Sequence, residues 1–384
     1  MSTTAPARES TDRKAASVAA SATPRTRVAS LPPVLQANPY QRLLYAELAR
    51  AGLALEPRPQ LKLAWLWRHR RTVGLLHFHW PEAYYRYGSG KVDALRSWPL
   101  LALFALRLVA AKALGYRIAW TIHQVRPHES ANRLLEQLGT RVLAAASDVL
   151  LAHDVSTAEQ ARRALGRRAA TVEVVPHGSY VGVYPPGRSR ADVRAELGVQ
   201  PDSFTFLCFG DLRGYKGVEL LLAAFGEASL PDATLVLAGG ATSERMTQLV
   251  EEAEVDPRIR TRLGFVPESD VAELFGACDA VVLSRGDGGT SGSLILALSM
   301  GRPVVAADRP AYRDLLGGGS AGWLFEPEST ESLAAELGRA ARADAAERDA
   351  KGHAALARAE GLDWVGIGRR TAELLFPSPA GRAR

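Results

Sequence analysis

Short apolar runs alternate with segments of helical period along most of the chain. RVASL (27–31) precedes the helix-period segment NPYQRLLYAELARAG (38–52). VGLLHFHW (73–80) reads as a strand, an apolar helix follows over 98–114, and RIAWTIH (117–123) reads as the next strand. Helix SANRLLEQLGTRVLAAA, strand DVLLAH, helix TAEQARRAL and strand TVEVVPHG complete a first block, and RADVRAEL reads as a connecting helix. The alternation then restarts. FTFLCFG, ATLVLAGG, IRTRLGF, DAVVLS, PVVAAD and WLFEP read as strands, with GVELLLAAFGEA, SERMTQLVEEAE, SDVAELFGAC, SGSLILALSM and STESLAAELGRAARA as helices between and after them. Such alternation gives parallel sheets with helices on both faces. Two blocks of it predict an α/β protein of two Rossmann-like domains: a tail over 1–27, a first domain over 28–187, a second over 188–360, and a C-terminal helix and tail over 361–384.

Length and composition fit this division. A chain of 384 residues is long for one core. Lys and Arg outnumber Asp and Glu by 47 to 41, a net +6 that suits anionic ligands or an anionic membrane surface. No basic run is interleaved with aromatics, so the pattern does not read as nucleic-acid binding. Cys208 and Cys278 lie in apolar surroundings and read as small buried hydrophobes. The first 27 residues are rich in Ala, Ser, Thr and Arg with no apolar core, and read as a disordered tail, not a signal peptide. The longest uncharged apolar run, 97–106, is ten residues, too short to span a bilayer. Helix 98–114 suits two roles: a core helix, or one that also rests on a membrane surface with its cations at the headgroups. The expected localisation is cytoplasmic, at or near the inner face of the membrane.

In open parallel sheets, ligands bind beyond the carboxyl ends of the strands. The site is therefore expected in a cleft between two facing sheets. The first domain puts His77, His79 and Glu82, then His123, His128 and Glu129, then His153 and Asp154, then His177 at successive strand ends. His77 and His79 share a strand face, but no third ligand follows at a metal-binding spacing, and no metal is expected.

CFGDLRGYKGVEL carries the clearest chemistry. A strand ends at Gly210, a short turn holds Arg213 and Lys216, and Gly217 opens a helix. Arginine offers a planar fork and lysine a mobile point charge for phosphate oxygens, and the helix N-terminus adds its dipole. DGGTSGSLILAL places Thr290, Ser291, Gly292 and Ser293 at another helix start, either as a second anion cradle or with Ser291 as a plain N-cap. Two cradles on neighbouring strand ends point to a nucleotide-diphosphate donor. GGGSAG (317–322) matches the dinucleotide fingerprint by letter, but a strand follows it where a helix is required.

Taken together, FGDLRGYKGVELLLAAF, LVLAGG, RLGFVPESDVAELFGACDAVVLS, SGSLILALSMGRPVVAAD and GWLFEPESTESLAAEL resemble, in order, the donor domain of GT-B glycosyltransferases of the GT4-like superfamily. The resemblance covers almost the whole chain after residue 28. It implies that Arg213 and Lys216 hold a diphosphate, that Val266 and Pro267 lie near the base, and that residues 290–293 meet phosphate or sugar. The superfamily's paired glutamates are missing: Gly288 and Leu296 stand there. TSGSLILALSMGRPVV, HFHWPE, TIHQVRPHE and NPYQRLLYAEL are more similar to bacterial β-mannosyltransferase-like enzymes of exopolysaccharide assembly, which implies GDP-mannose and inversion.

The expected function is transfer of a hexose, mannose from GDP-mannose as first choice, to a hydroxyl acceptor such as a lipid-linked saccharide. A nucleotide-diphosphate sugar is then co-substrate and no other cofactor is needed. Glu129 and Glu82 are candidates for the base, and His123 is a candidate for that role or for binding the sugar. The alternatives are transfer from a UDP- or TDP-sugar to a soluble natural-product acceptor, a sugar-nucleotide epimerase, and a non-catalytic nucleotide-sugar-binding protein.

Overall fold

Parallel strands buried on both faces carry side chains that are almost all apolar. VGLLHF and ATLVLAG are of this kind, and each is buried along its whole length. The computed structural model describes residues 26–34, 39–88, 91–124, 132–166, 171–284 and 289–377. They divide into two units, Met1–Pro176 with Trp364–Arg384, and His177–Asp363. The chain thus changes unit ahead of the 187/188 position read from the sequence. The call on the tail over 1–27 falls almost wholly outside the described residues.

The first unit runs β1 (Arg27–Leu31), α1 (Pro39–Arg50), β2 (Ala54–Leu55), α2 (Leu63–His69), β3 (Val73–Phe78), a 3-10 turn (Pro81–Tyr84), α3 (Lys91–Ala113), β4 (Arg117–Ile122), α4 (Arg133–Ala146), β5 (Val149–Ala152), α5 (Val155–Leu165) and β6 (Val172–Val174). All six strands are parallel, in the order β2-β1-β3-β4-β5-β6. The order turns back between β1 and β3. α3 starts before the expected residue 98. Pro99 therefore sits inside the helix and not in its first turn.

The second unit runs α6 (Arg190–Glu196), β7 (Phe204–Phe209), a 3-10 turn (Gly214–Lys216), α7 (Val218–Glu227), β8 (Ala233–Gly239), α8 (Glu244–Ala253), β9 (Ile259–Leu263), α9 (Glu268–Ala277), β10 (Ala280–Leu283), α10 (Gly292–Ser299), β11 (Val304–Ala307), α11 (Pro310–Leu315), β12 (Gly322–Phe325), α12 (Thr330–Arg342) and α13 (Ala345–Glu360). Its parallel sheet has the order β12-β11-β10-β7-β8-β9, so the reversal lies between β7 and β10. Cys208 and Cys278 are buried, and burial pushes their thiols up to about 11 and about 12. α14 (Trp364–Leu375) returns to the first unit and packs on α1.

GGGSAG leads into β12, not into a helix. Gly322 is there for packing, since a Cβ on it would press on the Val304 carbonyl oxygen of the neighbouring strand. Gly226, exposed in α7, would meet nothing. Gly322→Ala should therefore destabilise the second unit by about 2 kcal/mol or more, and Gly226→Ala should stabilise it by roughly 0.5–1 kcal/mol. Urea unfolding midpoints of the two variants check both signs.

Candidate functional site

The reversal between β7 and β10 is where the second unit builds a site, because the connections leaving the two strands part there and open a crevice. Gly210 ends β7 at φ +93°. A Cβ built on it would lie 3.1 Å from Lys216 Nζ and 3.7 Å from Ser293 Oγ. The ammonium from the turn after β7 and the hydroxyl from the first turn of α10 therefore converge over one bare backbone position. Gly217, at φ +72°, lets the turn approach the end of β10, since its Cβ would sit 2.6 Å from the Ser284 carbonyl oxygen. Ser284 Oγ donates to the Lys216 carbonyl at 3.0 Å and ties the turn down.

Ser291 holds the N-cap position of α10, yet its side chain makes no capping hydrogen bond. Plain N-capping, one of the two roles expected for it, is not what the structure shows. Arg213 reaches Asp211 at 3.1 Å beside the cradle. Thr290 and Gly292 lie in the same segment, and the Tyr180 hydroxyl stands 3.8 Å from the Cβ position of Gly292. Tyr180 bonds weakly to His177 Nε2 at 3.4 Å, so His177 belongs with α10 and not with the other histidines. Val266 is half-buried after β9, next to the strongly exposed Phe265. Of the positions where the superfamily carries glutamates, Leu296 is buried in α10, and Gly288 lies outside the described residues.

Residues 189–354, most of this unit, match the family described as glycosyl transferases group 1. The second unit is a group 1 glycosyltransferase domain. Relatives agree over more of the chain. A GDP-mannose:glycolipid 4-beta-D-mannosyltransferase of Xanthomonas campestris is 28% identical over 326 residues, 80% of this chain and 83% of that protein. A D-inositol 3-phosphate glycosyltransferase of Nocardia farcinica is 28% identical over 63% of this chain and 54% of its own. Among solved structures, sucrose-phosphate synthase from Thermosynechococcus elongatus covers 91% of this chain and 98% of its own with a TM-score of 0.68 at 18% identity. WaaG, a glycosyltransferase of lipopolysaccharide biosynthesis, covers 92% and 100% with a TM-score of 0.62 at 16% identity. The fold is GT-B and the chain is a glycosyltransferase that uses a nucleotide-sugar donor.

The glycosyltransferase's first unit gathers its histidines at the ends of β3, β4 and β5. The Tyr45 hydroxyl lies 3.0 Å from His77 Nδ1 and 3.0 Å from His79 Nε2. His77 Nε2 meets Thr121 Oγ1 at 2.8 Å, and His79 Nδ1 meets His123 Nε2 at 3.2 Å. Trp80 stacks on His123, and the edge of Tyr40 faces His79, His123 and His153. His153 Nδ1 bonds to the Val175 carbonyl, and Asp154 caps α5 through Thr157. Among the described residues no three His, Cys, Asp or Glu side chains form a metal-holding group. Glu82 lies in the 3-10 turn after β3. Burial raises its carboxyl, Arg86 opposes that shift and Glu136 adds to it. Glu136 itself binds Arg86 at 2.7 Å and Tyr85 at 2.9 Å. Glu129 and His128 lie outside the described residues. The sequence pattern picked out the histidines but missed Tyr40, Tyr45 and Trp80, which look like ordinary core aromatics until the sheet order brings them together.

Burial pushes His77 down to about 3, and it lowers His79 and His153 as well, the latter against Asp154. The unfolded chain binds protons at these positions near pH 6.5 while the folded unit does not. Their contribution is thus complete above about pH 7 and lost as pH falls from there toward 3. Stability of the first unit should fall by roughly 1–2 kcal/mol per pH unit for each such histidine below pH 6.5. Urea midpoints read by tryptophan fluorescence at pH 7.5, 6 and 5 measure the slope. A His77→Asn variant should show a shallower one.

Proposed function

We propose that this glycosyltransferase moves mannose from GDP-mannose to a hydroxyl of a lipid-linked saccharide, with inversion. The observation that carries the reading is the convergence of Lys216 Nζ and Ser293 Oγ on Gly210, at the start of a helix whose N-cap side chain leaves the first-turn amides uncapped. Such a group is suited to the oxygens of a departing diphosphate. The Xanthomonas relative, a GDP-mannose:glycolipid mannosyltransferase, supports the donor and the acceptor class.

In this reading the acceptor oxygen bonds to the anomeric carbon. The bond from that carbon to the diphosphate oxygen breaks, and its electron pair leaves on GDP, stabilised by Lys216, Arg213 and the start of α10. Val266 borders the base. The acceptor's proton goes to a carboxylate, assigned to Glu129, and His123 contacts the transferred sugar. Glu82, held in the field of Arg86 and Glu136, serves the packing of its turn. Glu129→Gln should lower kcat at least 100-fold while GDP binding persists, and Glu82→Gln should mainly lower the melting temperature. Product formation from GDP-mannose with extracted bacterial glycolipids is the assay. Full activity of Glu129→Gln would move the base elsewhere.

The acceptor class also accounts for a surface of the first unit. Leu95, Leu106 and Val109 of α3 are 75%, 53% and 67% exposed, and Pro99, Ala102 and Ala113 continue the same stripe at helical spacing. Trp67 of the adjacent α2 is 60% exposed, with the Arg70 guanidinium over its ring. Among the described residues no helix is long and apolar enough to cross a membrane. An apolar stripe beside cations suits a helix lying on an anionic bilayer. Replacing Leu106 and Val109 by Glu should reduce co-sedimentation with phosphatidylglycerol vesicles several-fold without lowering the melting temperature.

A further inference from the structure

The second unit has a cavity of about 280 Å³ at the end of its sheet away from the donor cradle. Asp279, just before β10, and Arg302, just before β11, line its floor, and Arg348, Asp349 and His353 of α13 line its other side. Helix α10 joins the two places: its first turn belongs to the cradle, and the residues that follow its last turn reach the cavity. Glycine packing holds α13 there, since a Cβ on Gly352 would lie 2.8 Å from the Gly301 carbonyl oxygen.

The charges around this cavity do not balance. Asp279 is bound by Arg190 of α6 at 2.6 Å and by Arg194 at 2.8 Å, and it also accepts the Thr205 N–H at 2.8 Å. Arg302 stands beside this group. Its Nη2 reaches the Gly276 carbonyl at 3.5 Å, an oxygen that Arg190 already holds at 3.0 Å, and its Nε is buried without a partner. A guanidinium has five N–H groups, and this one spends a single long bond. It does not serve as a helix cap, because the last carbonyls of α10 take the backbone N–H groups of Met300, Gly301 and Arg302. Burial lowers Arg302, the Arg190 charge lowers it further, and Asp279 opposes them only in part. Arg348 donates from Nη1 to the Ala343 carbonyl. Among the described residues neither Arg302 nor Arg348 is ion-paired with a carboxylate. Counting the two arginines behind Asp279, four guanidinium groups meet two carboxylates, Asp279 and Asp349. A charge withdrawn from water without a counter-charge is costly, and a bound anion offsets that cost.

We propose that Arg302, Arg348 and His353 form a second anion site, separate from the donor cradle, for a phosphate group carried by a small molecule. Arginine's planar fork matches two phosphate oxygens, and the ring of His353, exposed on α13, adds a further N–H. Asp349 is exposed on the same helix and repels the anion, so it limits the affinity. Sites for drug-sized ligands run to roughly 300–1,000 Å³. A cavity smaller than these suits inorganic phosphate or a phosphate monoester and not a whole nucleotide sugar. The donor and acceptor readings use none of these groups, so the site stands independently of them.

The test is calorimetric titration of the full-length protein, unsubstituted and as Lys216→Ala, with inorganic phosphate and with glucose 6-phosphate at pH 7.5 and constant ionic strength. One anion should bind per chain at millimolar concentration or below, in both proteins. Arg302→Lys keeps the charge but loses the fork, and should weaken binding about 10-fold. Arg348→Ala should weaken it several-fold. Asp349→Asn should tighten it several-fold, a change of sign that damage to the fold would not produce. If Arg302→Lys fails to fold, the two α13 variants decide. Tighter binding of glucose 6-phosphate than of phosphate would identify the occupant as an organic phosphate, and equal or weaker binding would identify it as phosphate itself. Absence of binding by either anion, or binding unchanged in all three variants, would overturn the proposal. Binding that is lost in Lys216→Ala would overturn it too, since the anion would then belong to the donor cradle.

Discussion

The second unit depends on backbone meeting backbone where β7, β8 and β10 end. A Cβ on Gly239 would press on the Gly210 carbonyl, and one on Gly217 would press on the Ser284 carbonyl. All three glycines have positive φ. No side chain fits between these strand ends, so the turn carrying Arg213 and Lys216 is drawn down beside the start of α10. The reversal of strand order supplies the crevice, and the glycines let two chain segments share it. Lys216 is thereby brought beside Ser293 and the first turn of α10, which lie far from it in sequence.

The first unit works under a different constraint. It buries imidazoles in a parallel sheet, and they remain neutral because charging them there is costly. Neutral rings must then divide donor and acceptor roles among themselves. The Tyr45 hydroxyl sits between two of them, 3.0 Å from His77 Nδ1 and 3.0 Å from His79 Nε2. The same burial that makes the unit acid-sensitive leaves His77, His79 and His153 as hydrogen-bonding groups, not charges.

The strands were legible in the sequence because parallel strands leave long apolar runs, and VGLLHF, FTFLCF and ATLVLAG could hardly be read otherwise. The Gly210–Lys216 turn was legible because glycine and cations at a strand end have few other uses. Short elements were not. β2 is two residues long, and α11 is six, below the length at which periodicity carries a signal. The pairing of α14 with α1 was hidden as well, since the chain leaves the first unit at Pro176 and rejoins it at Trp364. Ser291 was read as either cap or cradle, and the structure shows its side chain making no capping bond. Tyr45 was invisible as a polar hub because its spacing in α1 is that of an ordinary buried aromatic.

The proposed function turns on Lys216, Ser293 and the start of α10 holding a nucleoside diphosphate. It is tested most directly by the thermal stabilisation of the purified protein and of Lys216→Ala with GDP, UDP, ADP and TDP in turn. GDP should raise the melting temperature of the unsubstituted protein by several degrees and the other three should raise it less, while Lys216→Ala should lose most of the shift and keep its unliganded melting temperature. No shift with any nucleotide at millimolar concentration, or a full shift in Lys216→Ala, would contradict it.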